Sequence, residues 1–187
     1  MMTELEQYYN KFCEEKRLGR RHGQVEYFIT MKYIRQYLEN MHQPCIIDIG
    51  AGTGRYSVQL AEEEYDVTAV ELVKYNLGIL KSKKSGVKAY QGNALRLSRF
   101  ADESFDMALL FGPMYHLYTM EEKVQALKEA ARVTKAGGYI LSAYCMNEYG
   151  VLTYGFRDGN VKSCLKDGRL PKEYHCASPP KELYDYL

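Results

Sequence analysis

Three glycines at alternate positions, Gly50, Gly52 and Gly54, follow an apolar run that carries one acid, in the stretch IIDIGAGTGRY over residues 46–56. A turn with so few Cβ atoms lets a ligand come close to the backbone. Asp48 stands just before the first glycine, where it repels phosphate and can hold a cation such as an ammonium group. The Gly-x-Gly-x-Gly spacing also differs from the Gly-x-Gly-x-x-Gly that seats a pyrophosphate on a helix N-terminus. The simpler alternative is a tight structural turn. Further along, His116 in FGPMYHL has the one side chain that titrates near neutral pH without perturbation. It can take a proton from a reacting group, or it can pack and hydrogen-bond structurally beneath a site.

These residues need a scaffold, and the hydrophobic pattern supplies one. Ile46 and Ile47 are β-branched and apolar, as a strand buried on both faces requires, and the chain turns helix-friendly from Tyr56 to Glu63. YDVTAVE (65–71) reads as a second strand ending in Glu71, Lys74 to Lys84 as a helix broken by Gly86, and VKAY (87–90) as a third strand. After the turn Gln91-Gly92-Asn93-Ala94, a fourth strand is expected at Met107 to Phe111, stopped by Gly112-Pro113. Thr119 to Glu122 forms a capping-box pattern. The helix behind it should run to about Val133, present Val124, Leu127 and Ala131 on one face, and be ended by Gly137 and Gly138. YILSAY (139–144) is a fifth strand. Upstream, Tyr27, Met31, Ile34, Leu38 and Met41 form one stripe of an amphipathic helix. Strands alternating with helices predict an α/β fold, a doubly wound and mainly parallel sheet. Ligands lie beyond the carboxyl ends of such strands, and Asp48, Glu71, Asn93 and the Phe111-Gly112 turn all fall there.

With 187 residues, the chain is expected to form a single domain. Lys plus Arg number 25 against 24 Asp plus Glu, for a net charge of +1, so no global charge draws it to nucleic acid. No apolar run reaches the ~20 residues that span a bilayer. Five scattered cysteines without Cys-x-x-Cys spacing read as reduced thiols, with no metal site, in a cytoplasmic protein.

The stretch 46–56 resembles motif I of the class I S-adenosylmethionine-dependent methyltransferases, and the order of elements from residue 44 to 144, roughly half the chain, is similar to their core. FGPMYHL and the later ARVTKAGGYI resemble a branch of small, soluble methyltransferases whose acceptors are small molecules or are not established. The resemblance implies S-adenosylmethionine as cofactor. Gly50, Ala51, Gly52 and Gly54 would then run under its methionine half, with Asp48 supporting the loop or the bound ammonium. Glu71 would accept from both ribose hydroxyls, for which a carboxylate has the capacity. Leu72 would pack on the adenine, Asn93 (usually Asp in the family) would bond its amino group, and the Ala94 N–H would serve a ring nitrogen. Phe111 would lie at the same site. YYN (8–10) and RLGRRHGQVEY (17–27) look like the branch's N-terminal lid, which makes Tyr9 and Arg21 candidates to close over the methionine end. Tyr115 would line the acceptor pocket, and His116 is the candidate base. The acceptor implied is a small molecule, since the Asn/Asp-Pro-Pro-Tyr motif of amino-directed nucleic-acid enzymes is absent.

Two other functions share parts of this pattern. A nicotinamide-dependent oxidoreductase has the strand, turn and helix, but the glycine spacing and the lack of a Tyr-x-x-x-Lys pair after strand four count against it. A non-catalytic binder of the same cofactor would look identical on the cofactor side. Segment 1–43 is expected to form a helical lid, 44–144 the cofactor-binding core, and 145–187 an aromatic and glycine-rich cap followed by the start of a last helix at Ser178. The two further strands normal to the family find no β-rich runs after Tyr144. Strand five should therefore be an edge that a homodimer, or residues 145–187, would cover.

Overall fold

Side chains of a strand alternate between the two faces of its sheet, and here alternate residues enter different cores. Ile47 and Ile49, with Ala108 and Leu110, pack into one buried cluster with Val70, Ala126, Ala130 and Val133. Ile46, Met107 and Leu109 pack into another with Met31, Ile34, Leu38 and Leu60. Each of the buried Ile, Leu, Val and Met side chains contributes about 1.5–3 kcal/mol. The acid of this run, Asp48, is the exception that needs explaining.

The computed structural model describes residues 21–117, 119–144 and 155–168. In chain order the elements are α1 (Arg21–Leu38), β1 (Cys45–Ile49), α2 (Arg55–Glu62), β2 (Asp66–Glu71), α3 (Lys74–Ser82) and β3 (Lys88–Gln91). They continue with β4 (Phe105–Leu110), α4 (Pro113–His116), α5 (Met120–Val133), β5 (Thr134–Ser142) and α6 (Val161–Lys166). The strands lie in the order β3-β2-β1-β4-β5, and every neighbouring pair is parallel. The sheet reverses direction of growth between β1 and β4, which opens a crevice at their carboxyl ends. The expected α/β architecture is therefore present.

The expected stripe on α1 is buried: Met31, Ile34 and Leu38 lie in the core, with Tyr27 and Met41 packed against it. The capping box also forms. Thr119 Oγ1 accepts from the Glu122 N–H at 3.1 Å, and Glu122 Oε2 accepts from the Thr119 N–H at 3.2 Å.

Two local expectations were wrong. The buried face of α5 is Ala126, Ala130 and Val133, while Val124 and Ala131 are exposed and Leu127 is half-buried. Both stripes have helical spacing, so tertiary bonds set the roll of the helix. Glu129 Oε2 accepts the Leu97 N–H, and Arg132 donates to the carbonyls of Leu97 and Phe100. Gly137 and Gly138 are not a helix stop either. The helix ends at Val133, Thr134 turns extended (φ −89°, ψ 135°), and β5 begins there and runs through both glycines. Gly137 sits at φ +81° in a bulge where the β4–β5 register shifts, and a Cβ on Gly138 would come within 2.6 Å of the Asp106 carbonyl. Close backbone approach, not helix capping, requires glycine at that point.

Of the expected cap over 145–175, segments 145–154 and 169–175 lie outside the described residues, as does the helix start at Ser178. What is described includes α6, whose Cys164 is buried. Among the described residues, β5 is an edge strand with Tyr139 and Ile140 partly open to solvent.

Candidate functional site

The carboxyl ends of the parallel strands gather the residues named from the sequence. The loop from Gly50 is tied to β2, because the N–H groups of Gly50 and Ala51 both donate to the Val70 carbonyl at 2.8 and 3.1 Å. Gly50 is packed: a Cβ there would sit 2.4 Å from the Pro113 ring. Gly52 differs, because no atom lies within 4 Å of where its Cβ would be, and a ligand has room to approach.

Asp48 is 3 % exposed, and its Oδ2 accepts from the Ser57 hydroxyl in the first turn of α2. Burial pushes its carboxyl up to about 6, against the pull of the Ser57 hydroxyl and N–H, and the Glu71 charge pushes the same way. Asp48 thus ties strand to helix behind the loop. Glu71 is also buried. Its Oε2 accepts the Gly52 N–H at 2.7 Å and its Oε1 the Val73 N–H at 2.8 Å. Burial raises its pKa, and those N–H groups with the Asn76 side chain oppose the rise. The Leu72 N–H also bears on it, so four donors already face a carboxylate with room for about four, and a ligand's hydroxyls would share or displace them.

Beside Glu71, Leu72 is 40 % exposed at the start of the next turn, an apolar surface for a ring. Asn93 is exposed, with its Oδ1 closing a local turn onto the Leu95 N–H at 2.9 Å, and Ala94 is buried beneath it. Phe111 directly follows β4 and joins an aromatic row. Its ring meets Tyr56 edge-to-face at 5.4 Å, Tyr56 stacks on Tyr27 at 5.8 Å, and the Arg55 guanidinium lies 4.4 Å over Tyr27. Tyr115 and His116 are half-buried on the single turn α4, and burial holds the His116 imidazole down to about 4. Arg21 opens α1, and Tyr9 lies outside the described residues.

Several contributors were not singled out in the sequence. Ser57 and Asn76 support the two acids, and Tyr56 and Arg55 build the aromatic row. Thr53 is buried within the glycine loop, and its Oγ1 has no hydrogen-bond partner among the described residues. A buried hydroxyl left unpaired costs about 1–3 kcal/mol, so it marks a place where a polar ligand group would be welcome. Its position between Gly52 and Gly54 was the available signal.

A family model described as a methyltransferase domain matches residues 47–142, just over half of the chain. The chain belongs to the class I S-adenosylmethionine-dependent methyltransferases. The chain is 34 % identical over 144 residues to a demethylmenaquinone methyltransferase of Renibacterium salmoninarum, covering 76 % of this chain and 56 % of that protein. It is 31 % identical over 114 residues to a probable human tRNA methyltransferase 9B, covering 58 % of this chain and 23 % of the other. The chain thus spans little more than half the length of the first relative and about a quarter of the second. Among solved structures, an S-adenosylmethionine-dependent methyltransferase from Methanosarcina mazei superposes with a TM-score of 0.60 at 26 % identity, over 67 % of this chain and 62 % of that one. A protein from Pyrococcus horikoshii shares the fold, with a TM-score of 0.64 at 22 % identity over 79 % and 69 % of the two chains.

The family's cofactor is S-adenosylmethionine, and the residues present fit it. Gly52 is open, the Thr53 hydroxyl wants a partner, and Leu72 offers an apolar face beside the Glu71 carboxylate. Among the described residues no group of three His, Cys, Asp or Glu is placed to hold a metal, and no helix is long and apolar enough to cross a membrane.

Proposed function

We propose that the chain binds S-adenosylmethionine across the ends of β1 to β4 and transfers its methyl group to a small-molecule acceptor. The observation that carries this is the Glu71 carboxylate, which bridges the Gly52 and Val73 N–H groups at the end of β2 beside the unpaired Thr53 hydroxyl. Glu71 takes the ribose hydroxyls, Leu72 one face of the adenine, and Asn93 with the Ala94 N–H its polar edge. The loop Gly50 to Gly54 runs under the methionine half, with Tyr9 and Arg21 as candidates to close over it. The cofactor supplies a methyl carbon already activated by its sulfonium. The chain's own residues align the acceptor and exclude water, so a strong base is optional. Tyr115 lines the acceptor side. His116, neutral because burial lowers its pKa, offers a weak acceptor for the proton the nucleophile loses.

A small acceptor is favoured by the wider match to the demethylmenaquinone methyltransferase and by the net charge of +1. The similarity to a probable tRNA methyltransferase supplies the second reading, a nucleic-acid acceptor. Free Cys45 and Cys164 suit the reducing cytoplasm. Calorimetry tests the cofactor: S-adenosylmethionine binds and NAD does not, and Glu71→Ala weakens binding by about 1.5–3 kcal/mol, the range for bonds to a charged group. An unchanged dissociation constant removes Glu71 from the site. Methyl-transfer assays over a metabolite panel and over tRNA separate the acceptors, and no transfer to any of them leaves a binding protein.

A further inference from the structure

Buried polar side-chain atoms in a folded protein nearly always find a hydrogen-bond partner, so each exception asks for a reason. Among the described residues two such atoms have none, Thr53 Oγ1 and Arg55 Nε. They stand two residues apart, on either side of Gly54, where the glycine loop runs into α2. Gly54 is the N-cap of α2 and brings no side-chain acceptor to that end of the helix. Gly52, one residue before Thr53, has free space where its Cβ would be, so a ligand can reach the loop there.

The two orphaned atoms define what would complete them. The Arg55 Nε–H can only donate, and the Thr53 hydroxyl can donate as well, so one acceptor suits both. Tyr27 does not serve, since its ring lies 4.4 Å from the guanidinium carbon and its hydroxyl proton goes to Gln59 Oε1 at 3.1 Å. The partial positive charge at the start of α2 favours an acceptor that is negative. Nε and the neighbouring terminal nitrogen form one edge of the guanidinium, spaced for the two oxygens of a carboxylate. Arg55 is half-buried, and its terminal nitrogens, unlike Nε, reach the surface. S-adenosylmethionine has a single anionic group, the carboxylate of the half proposed to lie along this loop. Given that cofactor, on which the assignment rests, we infer that Arg55 and Thr53 hold its carboxylate. Arg55 does so through its Nε edge and Thr53 through its hydroxyl, and together they select a ligand with an intact amino-acid end.

The test is calorimetry on the full chain with S-adenosylmethionine and with its decarboxylated form, which keeps the ammonium, the sulfonium and the adenosine. The native chain should prefer the carboxylate-bearing ligand by about tenfold or more. Arg55→Met keeps an unbranched stem beside Tyr27. It should weaken S-adenosylmethionine by about tenfold or more and leave the decarboxylated form unchanged, which also checks that the variant folds. Thr53→Val removes the hydroxyl and should narrow the preference in the same way. Arg99→Met removes the same charge from another guanidinium held over a tyrosine, Tyr90, and should leave the preference intact. A merely structural role for Arg55 would weaken both ligands together, and that result overturns the assignment. A native chain without preference, or an equal effect of Arg99→Met, overturns it as well. An unaltered preference in Thr53→Val overturns the part given to its hydroxyl. Failure of the native chain to bind either ligand would instead overturn the cofactor reading, and this anchor with it.

Discussion

A carboxyl group with 3 % exposure, as at Asp48, needs either a ligand or a partner in the fold, and here Ser57 provides the partner. That bond joins β1 to the first turn of α2 behind the glycine loop. An ammonium group would have to compete with the Ser57 hydroxyl for Oδ2. Its pKa of about 6 lies above the ordinary carboxyl value of 3.8, so the folded chain holds the proton more tightly than the unfolded one. The contribution to stability is therefore full below pH ~4 and is lost as pH rises to ~6, a change of order 2–3 kcal/mol. Asp48→Asn keeps an oxygen for Ser57 without the charge. In urea unfolding, the variant should gain on the native chain as pH is raised from 4 to 7. A difference that stays constant across that window would show that the carboxyl titrates normally.

The loop between β1 and α2 takes its shape from a contact that comes from far along the chain. Gly50 lies at φ +78° with the Pro113 ring at the distance where a methyl would overlap it, so two elements meet at a glycine. Gly50→Ala should cost at least about 2 kcal/mol, from the left-handed backbone and the clash with a rigid ring. Gly52→Ala, also at positive φ but facing open space, should cost only about 1 kcal/mol of stability. Its effect should instead appear as weaker cofactor binding, since the methyl enters the ligand's space. Urea midpoints and calorimetry on the pair check this. Equal destabilisation by both substitutions would mean that Pro113 does not press on the loop.

At the scale of the whole fold, among the described residues, the sheet presents β5 as an edge strand, and α1 exposes Val25, Phe28, Ile29, Tyr33 and Tyr37 on its outer face. Tyr37 packs on Tyr139 of β5 at 4.8 Å, so the two surfaces join. An edge strand with an apolar face invites pairing with another chain. Light scattering should find a homodimer, and Ile140→Lys should shift it towards monomer. A monomer at every concentration would overturn the dimer and return the cover to other residues.

Strand-by-strand order was legible because it is local. Ile46-Ile47, the alternate glycines, Glu71 at a strand end and Thr119-x-x-Glu122 each satisfy a rule of backbone sterics or hydrogen bonding within a few residues. What the chain does with its buried polar groups was not local. Ser57 meets Asp48, Asn76 meets Glu71, and Glu129 reaches Leu97 across helices and strands, and no periodicity in the sequence announces such pairs. The roll of α5 was undecided for the same reason, because two stripes had the right spacing and long-range hydrogen bonds chose between them. Gly137-Gly138 was misread because a glycine pair serves a helix end and a strand bulge equally well. Which of the two it serves depends on the neighbouring strand: the Asp106 carbonyl leaves no room for a Cβ, and only the folded sheet brings that carbonyl there.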